Sequence, residues 1–311
     1  MTDIKIHEVG LRDGLQIEKQ TVPLEKKVEW VEGLLTAGIE MIQLGSFVNP
    51  DKVPQMADTD KLFSRFAPPG NKPSGAIFSG LVLNEKGLER GMACGVGLFC
   101  MGVSASDTHS RKNTGKGTEE AVNQIIAMAQ TAMKAQKRIQ VSIQSAFGCG
   151  FEGQIPRERV LSIVDKYLAA GIRNISLADT AGHAYPQQVE SLYAEIRKRD
   201  SQVELACHFH NTYGLGLANC YAALKAGVKY FEAALGGLGG CPFTKVAAGN
   251  VCTEDLVHSL QRQGMAKEIN LDKLMETARL IGLFFNRDLP GFILKSGSIV
   301  NFKKTSAGEQ K

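Results

Sequence analysis

The chain has 311 residues, 43% of them hydrophobic and 22% charged, enough to bury one large core or two modest ones. Its 36 Lys and Arg against 32 Asp and Glu give a net charge of +4, and the basic side chains are scattered rather than gathered into a stripe, which argues against a nucleic-acid partner. The opening MTDIKIHEVG has no apolar stretch behind a positive region, and no later run reaches the about 18 apolar residues of a membrane span, so a cytoplasmic protein is expected.

In chain order, short apolar runs recur: IKIHEVG, IEMIQLGS, AIFSGLVL, VGLFCMGVS, IQVSIQSAFG, RNISLADT, VELACHFHN and YFEAALGG. Each is followed by a longer segment of helical periodicity, so eight strand-then-helix units are predicted. Three helix exits share an Ala-Gly pair, LLTAGIEMI, YLAAGIRNI and ALKAGVKYF, which marks Gly38, Gly171 and Gly227 as left-handed helix ends. Gly171 and Gly227 stand 56 residues apart, about two such units. Continuous apolar strands alternating with helices imply a parallel sheet covered by helices, and about 250 residues in eight units suit a closed (β/α)8 TIM barrel. An open doubly wound sheet is the alternative. The Pro-rich FAPPGNKPSG reads as one loop rather than a linker. Residues 1–311 are therefore expected to form a single catalytic domain, with about 270–311 as an appended C-terminal helix (LDKLMETARLIGLFFN) and polar tail.

The seven cysteines, at 94, 100, 149, 207, 220, 241 and 252, are odd in number and contain no CxxC pair. A disulfide framework is not expected, and most read as small buried hydrophobes.

Active-site groups of such a barrel come from the carboxyl ends of its strands and the loops after them. There the first unit carries Glu8, Arg12 and Asp13, the second Gln43 and Ser46, the sixth Ser176 and Asp179, and the seventh His208 and His210. Residues two apart on a strand point to the same side. His208 and His210 can thus share one cation, with Asp13 and the amide oxygen of Asn250 completing an N/O site; the alternative is two hydrogen-bonded histidines without metal. His7, His109, His183 and His258 show no such partners and read as surface or packing residues. The last loop, GGLGGCPFTKVAAGN, has glycines at 236, 237, 239 and 240 before Cys241. Such a loop can close over a substrate with an accessible thiol, or pack that thiol beneath it.

Together, EVGLRDGLQIEK, SFVNPDKVPQMAD, VSASDTHSRKN, FGCGFEG, ISLADT, HFHNTYGLGLAN, GLGGCPF and AAGNVCTEDLV make a pattern that resembles the 3-hydroxy-3-methylglutaryl-coenzyme A lyase family over nearly the full length. The resemblance implies a metal-dependent carbon–carbon lyase that cleaves a 3-hydroxyacyl-CoA bearing a second carboxylate into acetyl-CoA and a keto acid. It implies Asp13, His208, His210 and Asn250 as ligands of a divalent cation, Mg or Mn, with two imidazoles favouring Mn. It further implies Arg12 as the cation beside the thioester, Asp179 as a polar partner near substrate, and Cys241 or His208 as the proton-handling group. Gln43, Ser46 and Ile17 would touch substrate, while Arg111 and Lys112 would meet coenzyme A phosphates. A homodimer or higher homo-oligomer is expected.

The chain departs from the family pattern at Leu11, Ile17, Gln43 and Asn211, where Pro, Asn, Glu and Asp are usual. Gln43 cannot act as a base, and Ile17 is apolar, so a different acyl group fits the reaction class. Two other readings are an aldolase or Claisen-type synthase of the same superfamily and a non-catalytic barrel that binds coenzyme A thioesters.

Overall fold

A computed structural model describes residues 4–68, 75–240 and 249–299. Its eight strands are β1 (Lys5–Glu8), β2 (Met41–Ser46), β3 (Ile77–Leu81), β4 (Leu98–Ser104), β5 (Arg138–Gln144), β6 (Asn174–Asp179), β7 (Glu204–Phe209) and β8 (Tyr230–Ala233). They pair in sequence order, all parallel, and β8 closes on β1 with Lys5 opposite Tyr230 and Glu8 opposite Ala233. The closed barrel, rather than the open sheet, follows from that last pairing. The expected apolar continuity is real: every residue of β2 and of β4 is buried, as strands covered on both faces require.

The helices are α1 (Leu24–Thr36), α2 (Thr59–Phe66), α3 (Glu85–Ala93), α4 (Asp107–Thr114), α5 (Thr118–Lys134), α6 (Arg157–Ala169), α7 (Pro186–Arg199), α8 (Gly216–Lys225), α9 (Thr253–Gln261), α10 (Leu271–Phe285) and α11 (Phe292–Ser296). Several begin on side chains that accept from otherwise orphaned N–H groups: Asn84 from Gly87 N at 2.8 Å, Ser106 from His109 N at 3.1 Å, Asn270 from Lys273 N at 3.1 Å. Each such cap contributes about 1 kcal/mol. The Ala-Gly exits behave as expected, with Gly38, Gly171 and Gly227 at φ of 88°, 80° and 84°.

The main core lies between strands and helices, and a separate small cluster of Met41, Leu98 and Cys100 with Ile77, Leu81 and Tyr230 fills part of the barrel itself. The C-terminal helix α10 is tied to α1 by Trp30, whose ring stands 5.6 Å from Phe284 at 78°, an edge-on contact that adds about 0.5–1.5 kcal/mol beyond burial. The backbone N–H groups of Phe292 and Ile293 donate to the Asp255 carboxylate at 3.0 and 2.8 Å, which docks α11 against α9. Among the described residues, no helix is long and apolar enough to cross a membrane. The six described cysteines are free, and all but the half-buried Cys94 are buried.

Candidate active site

Directly after β1 the backbone winds one π-type turn, Gly10–Gly14, in which the Val9 carbonyl accepts from the N–H groups of Arg12 (3.1 Å) and Asp13 (2.8 Å). Such wide turns are often found at functional sites, and this one aims Arg12 and Asp13 over the barrel mouth. The Arg12 guanidinium donates through Nη1 to Asp13 Oδ1 and through Nε to Gln43 Oε1. Burial works to raise the Asp13 carboxyl. Arg12 and the imidazoles of His208 and His210 outweigh it and hold the group well below the usual carboxylate range.

Two strands away, across β8, β7 delivers His208, and the residue just past its end delivers His210. Their Nε2 atoms are 3.1 Å apart, and each lies 3.8 Å from Asp13 Oδ2. The three side chains are the group of His, Cys, Asp and Glu residues whose donor atoms converge within 4.8 Å among the described residues. His208 Nδ1 stands 3.0 Å from Glu232 Oε2, and Ser176 Oγ donates to Glu232 Oε1 at 3.0 Å. Desolvation opposes charge on His208, but the Glu232 hydrogen bond, with Asp13 beside it, raises its pKa overall. Burial, with His208 next, pushes His210 down to about 4, so this imidazole is neutral at pH 7.

The donor set fits a divalent cation. It combines a carboxylate held ionised, a neutral imidazole, and a second imidazole oriented through its far nitrogen by a carboxylate, the arrangement that metal-binding histidines use. Asn250 adds a fourth group. Its Nδ2 donates to Asp13 Oδ2 at 2.8 Å and to the Leu238 carbonyl at 3.0 Å, while Oδ1, the atom expected to ligate, is buried without a hydrogen-bond partner among the described residues. That oxygen belongs to a side chain whose amide nitrogen already touches Asp13, so Asn250 is placed at the edge of the donor set.

A cavity of about 220 Å³ opens at this cluster and is lined by Arg12, Asp13, Ile17, Gln43, His208, His210, Glu232 and Gly240. Cys241 follows Gly240 and lies outside the described residues. Two further buried carboxylates grip the approach to the glycine loop. Glu8 accepts from Gly10 N (2.7 Å), Leu235 N (3.0 Å) and Thr253 Oγ1 (2.6 Å), and Glu254 accepts from Gly236 N at 2.9 Å and from the Cys252 thiol at 2.9 Å. Burial pushes both carboxyls up to about 7.

Other expected residues sit elsewhere. Asp179 accepts from His183 N (2.8 Å) and Ala184 N (3.2 Å), which braces the loop after β6, and it is not among the residues that line the cavity. Burial raises its carboxyl to about 7. Ser46 is buried away from the cavity, with its backbone N–H on Thr59 Oγ1 at 3.3 Å. Arg111 pairs with Asp107 at 2.7 Å and Lys112 stands 4.8 Å over the Phe151 ring; both are on α4, whose His109 and Asn113 line the cavity in their stead. His109, expected as a surface or packing residue, is buried with its ring 6.5 Å from that of Phe151 and also borders the cavity. His7, expected likewise, is fully buried inside the barrel with Nε2 2.6 Å from Ser79 Oγ. Glu232 was missed: its signal is one ionisable residue in the apolar run YFEAALGG.

The sequence matches the family described as HMGL-like over residues 3–281. It is 35% identical to a hydroxymethylglutaryl-CoA lyase of Bacillus subtilis over 287 residues, 92% of this chain and 95% of that protein. It is 36% identical to an (R)-citramalyl-CoA lyase of Chloroflexus aurantiacus over 305 residues, 96% of each. Among solved structures, an HMG-CoA lyase from Acinetobacter baumannii in complex with coenzyme A and 3-methylmalate superposes with a TM-score of 0.88 at 37% identity, covering 95% of both chains.

Proposed function

Because the chain belongs to the HMGL-like family and is a carbon–carbon lyase, we propose that it cleaves 3-hydroxy-3-methylglutaryl-CoA, or a related 3-hydroxyacyl-CoA carrying a second carboxylate, to acetyl-CoA and a keto acid. The observation that carries this reading is the convergence of Asp13, His208 and His210 at 3.1–3.8 Å beside the Arg12 guanidinium. Asp13, His208, His210 and Asn250 would hold a divalent cation, Mg or Mn, and the two imidazoles favour Mn. When bound, that cation supplies Lewis acidity toward the substrate's hydroxyl oxygen.

The remaining work falls to the chain's own groups. The hydroxyl proton leaves to a base, the carbon–carbon bond breaks, and its electron pair moves onto the thioester carbonyl as an enolate. Arg12 is the group that meets this charge, and its guanidinium is already oriented by Asp13 and Gln43, so little reorganisation is needed when the charge develops. Returning a proton to the enolate carbon makes the acetyl group, a task for Cys241 or His208. Glu8 and Glu254 fix the start of the glycine loop at Leu235 and Gly236.

A second acyl group has support in the 36% identity to the citramalyl-CoA lyase and in the presence of Gln43 and Ile17 on the cavity wall. Unpaired thiols throughout the described cysteines support a cytoplasmic location. Leu283 and Phe292, 75% and 69% exposed on neighbouring α10 and α11, support a homo-oligomer. The docking of both helices onto the barrel supports one catalytic domain with residues from about 270 as its extension.

The test is to incubate purified protein with 3-hydroxy-3-methylglutaryl-CoA and with citramalyl-CoA, each with Mn, and to follow acetyl-CoA with and without chelator. Metal-dependent release from either is expected. Release from neither would overturn the reading, and release that survives chelation would overturn the metal assignment.

A further inference from the structure

The segment that follows α10 packs against two loops at once, the one after β8 and the one after β1. Asn286 turns the chain out of the helix at φ 47°. Leu289 is buried against the glycine loop: a Cβ on Gly236 would run into its side chain, and one on Gly237 would lie 3.1 Å from Pro290 Cγ. On the other side, Arg287 donates to the Glu18 carboxylate through both terminal nitrogens, Nη1 to Oε2 at 3.0 Å and Nη2 to Oε1 at 2.5 Å. The same guanidinium lies 5.0 Å over the Phe285 ring.

Glu18 closes the stretch that begins with the turn carrying Arg12 and Asp13. That turn is secured by its own bonds to the Val9 carbonyl, and Leu15 after it is buried. Gln16 and Ile17 are exposed and line the cavity. Glu18 is the only buried residue from 16 to 20, so it is the anchor for its two neighbours on the wall. Its N–H donates to the Leu15 carbonyl at 3.1 Å, its own carbonyl accepts from Gln55 Nε2 at 2.5 Å, and its carboxylate takes Arg287.

A two-pronged contact between arginine and carboxylate fixes direction as well as distance, and the Phe285 face backs the guanidinium. Without the arginine, Glu18 would be a buried carboxylate lacking its counter-charge, which is strongly unfavourable. The chain relieves that by turning the carboxylate toward water, and the backbone at 16–18 turns with it.

We infer that Arg287 is a positioning residue: through Glu18 it holds Gln16 and Ile17 at the cavity wall and so fixes the width of the space that takes the acyl group. The C-terminal extension thus shapes the substrate site, although none of its described residues lines the cavity. This rests on the lyase reading above and deepens it.

Hydrogen exchange of the apo protein reads the anchor without turnover. In Arg287→Met, which loses both donors, the Glu18 amide should exchange at least tenfold faster, while the Asp13 amide, bonded to Val9, should stay within twofold of the parent. Misplacing a contact by about 1 Å can cost up to ~10²-fold in rate. With the Mn-loaded variant, KM for 3-hydroxy-3-methylglutaryl-CoA or citramalyl-CoA should therefore rise at least tenfold. Its kcat and Mn affinity should stay within threefold, since the metal-site turn keeps its own bonds. Arg287→Lys, which restores the charge, should recover part of the KM. Glu18→Gln should raise KM as well, and the double variant should be no worse than Arg287→Met alone, because one anchor cannot be released twice. Glu18 exchange within twofold of the parent in both Arg287→Met and Glu18→Gln would overturn the inference. So would KM effects that multiply in the double variant, or a fall in Mn affinity as large as the rise in KM. A parent enzyme that cleaves neither thioester would overturn the lyase reading alone, because the exchange measurement still decides the anchor.

Discussion

His208 and Glu232 form a buried pair in which Nδ1 of the imidazole stands 3.0 Å from Oε2 of the carboxylate. The pair crosses from β7 to β8 and leaves Nε2 turned toward Asp13 and His210. Outer partners of this kind fix the tautomer and ring orientation of a ligating histidine, and removing one typically costs 10–100-fold in metal affinity. Glu232→Gln should therefore weaken Mn binding by about that factor, measured by isothermal titration, with the melting temperature of the apo protein as a control for folding. Affinity within threefold of the parent would show that His208 needs no such orientation.

His210 is the more exacting test of the ligand set. It is held neutral by burial and by His208, and its Nε2 faces the shared point directly. His210→Ala is expected to abolish stoichiometric Mn binding and lower turnover by at least a thousandfold. Full metal occupancy in that variant would remove His210 from the ligands.

The strand periodicity and the Ala-Gly exits made the barrel legible, because both are local patterns with one physical meaning each. His208 and His210 were legible for the same reason, since two residues of one strand need no long-range information to share a side. Glu232 was not, because the value of a lone carboxylate in an apolar strand depends on a partner 24 residues away. Asp179 stands at a strand end, and what the sequence does not show is that its oxygens also accept from the backbone N–H groups of His183 and Ala184. Gln140, Ser142 and Gln144 alternate with Ile139, Val141 and Ile143, a polar stripe that has meaning only once the barrel closes around it.

Stability should fall as pH rises through neutrality. Glu8, Asp179 and Glu254 are buried, and desolvation raises each folded-state pKa to about 7, above the ~4 of an unfolded carboxyl. The folded state thus binds more protons than the unfolded one between those values. Their contribution is fully present below the unfolded pKa and is lost as pH climbs to about 7, at up to about 1.4 kcal/mol per pH unit for each group. His7 and His210, pushed down to about 4 by burial, act in the opposite sense up to the ~6.5 of an unfolded imidazole. Urea midpoints of the apo protein in chelator should therefore drop chiefly between about pH 6.5 and 8, and Glu254→Gln should reduce that drop. A midpoint that rises across this range would contradict the assignment of raised pKa values.

Gly249 has to be glycine for the site to assemble. A Cβ at this position would lie 1.8 Å from the Gly237 carbonyl oxygen and 2.7 Å from that of Leu238, backbone atoms that cannot yield as a flexible side chain does. The Leu238 carbonyl also accepts from the backbone and side-chain N–H groups of Asn250. Gly249→Ala should push Asn250 off Asp13 and lower both Mn affinity and turnover by at least tenfold. Parent-like affinity in a variant of unchanged melting temperature would show that Asn250 is not a ligand.

The choice of acyl group should turn on Gln43. Its Oε1 accepts from Arg12 Nε while Arg12 Nη1 donates to Asp13, so the guanidinium is shared between one neutral and one charged acceptor. In Gln43→Glu both acceptors are charged, and a charge-assisted bond is roughly twice as strong as a neutral one. Arg12 should then be held more firmly where the thioester oxygen gains charge, at the price of a negative charge near the carboxylate end of a short acyl group. A longer acyl chain keeps its own carboxylate farther from position 43. The variant is expected to raise kcat/KM for 3-hydroxy-3-methylglutaryl-CoA at least tenfold relative to citramalyl-CoA, as measured by acetyl-CoA release from each. A ratio that stays within twofold would make the amide at position 43 incidental to substrate choice and leave Ile17 as the residue to examine.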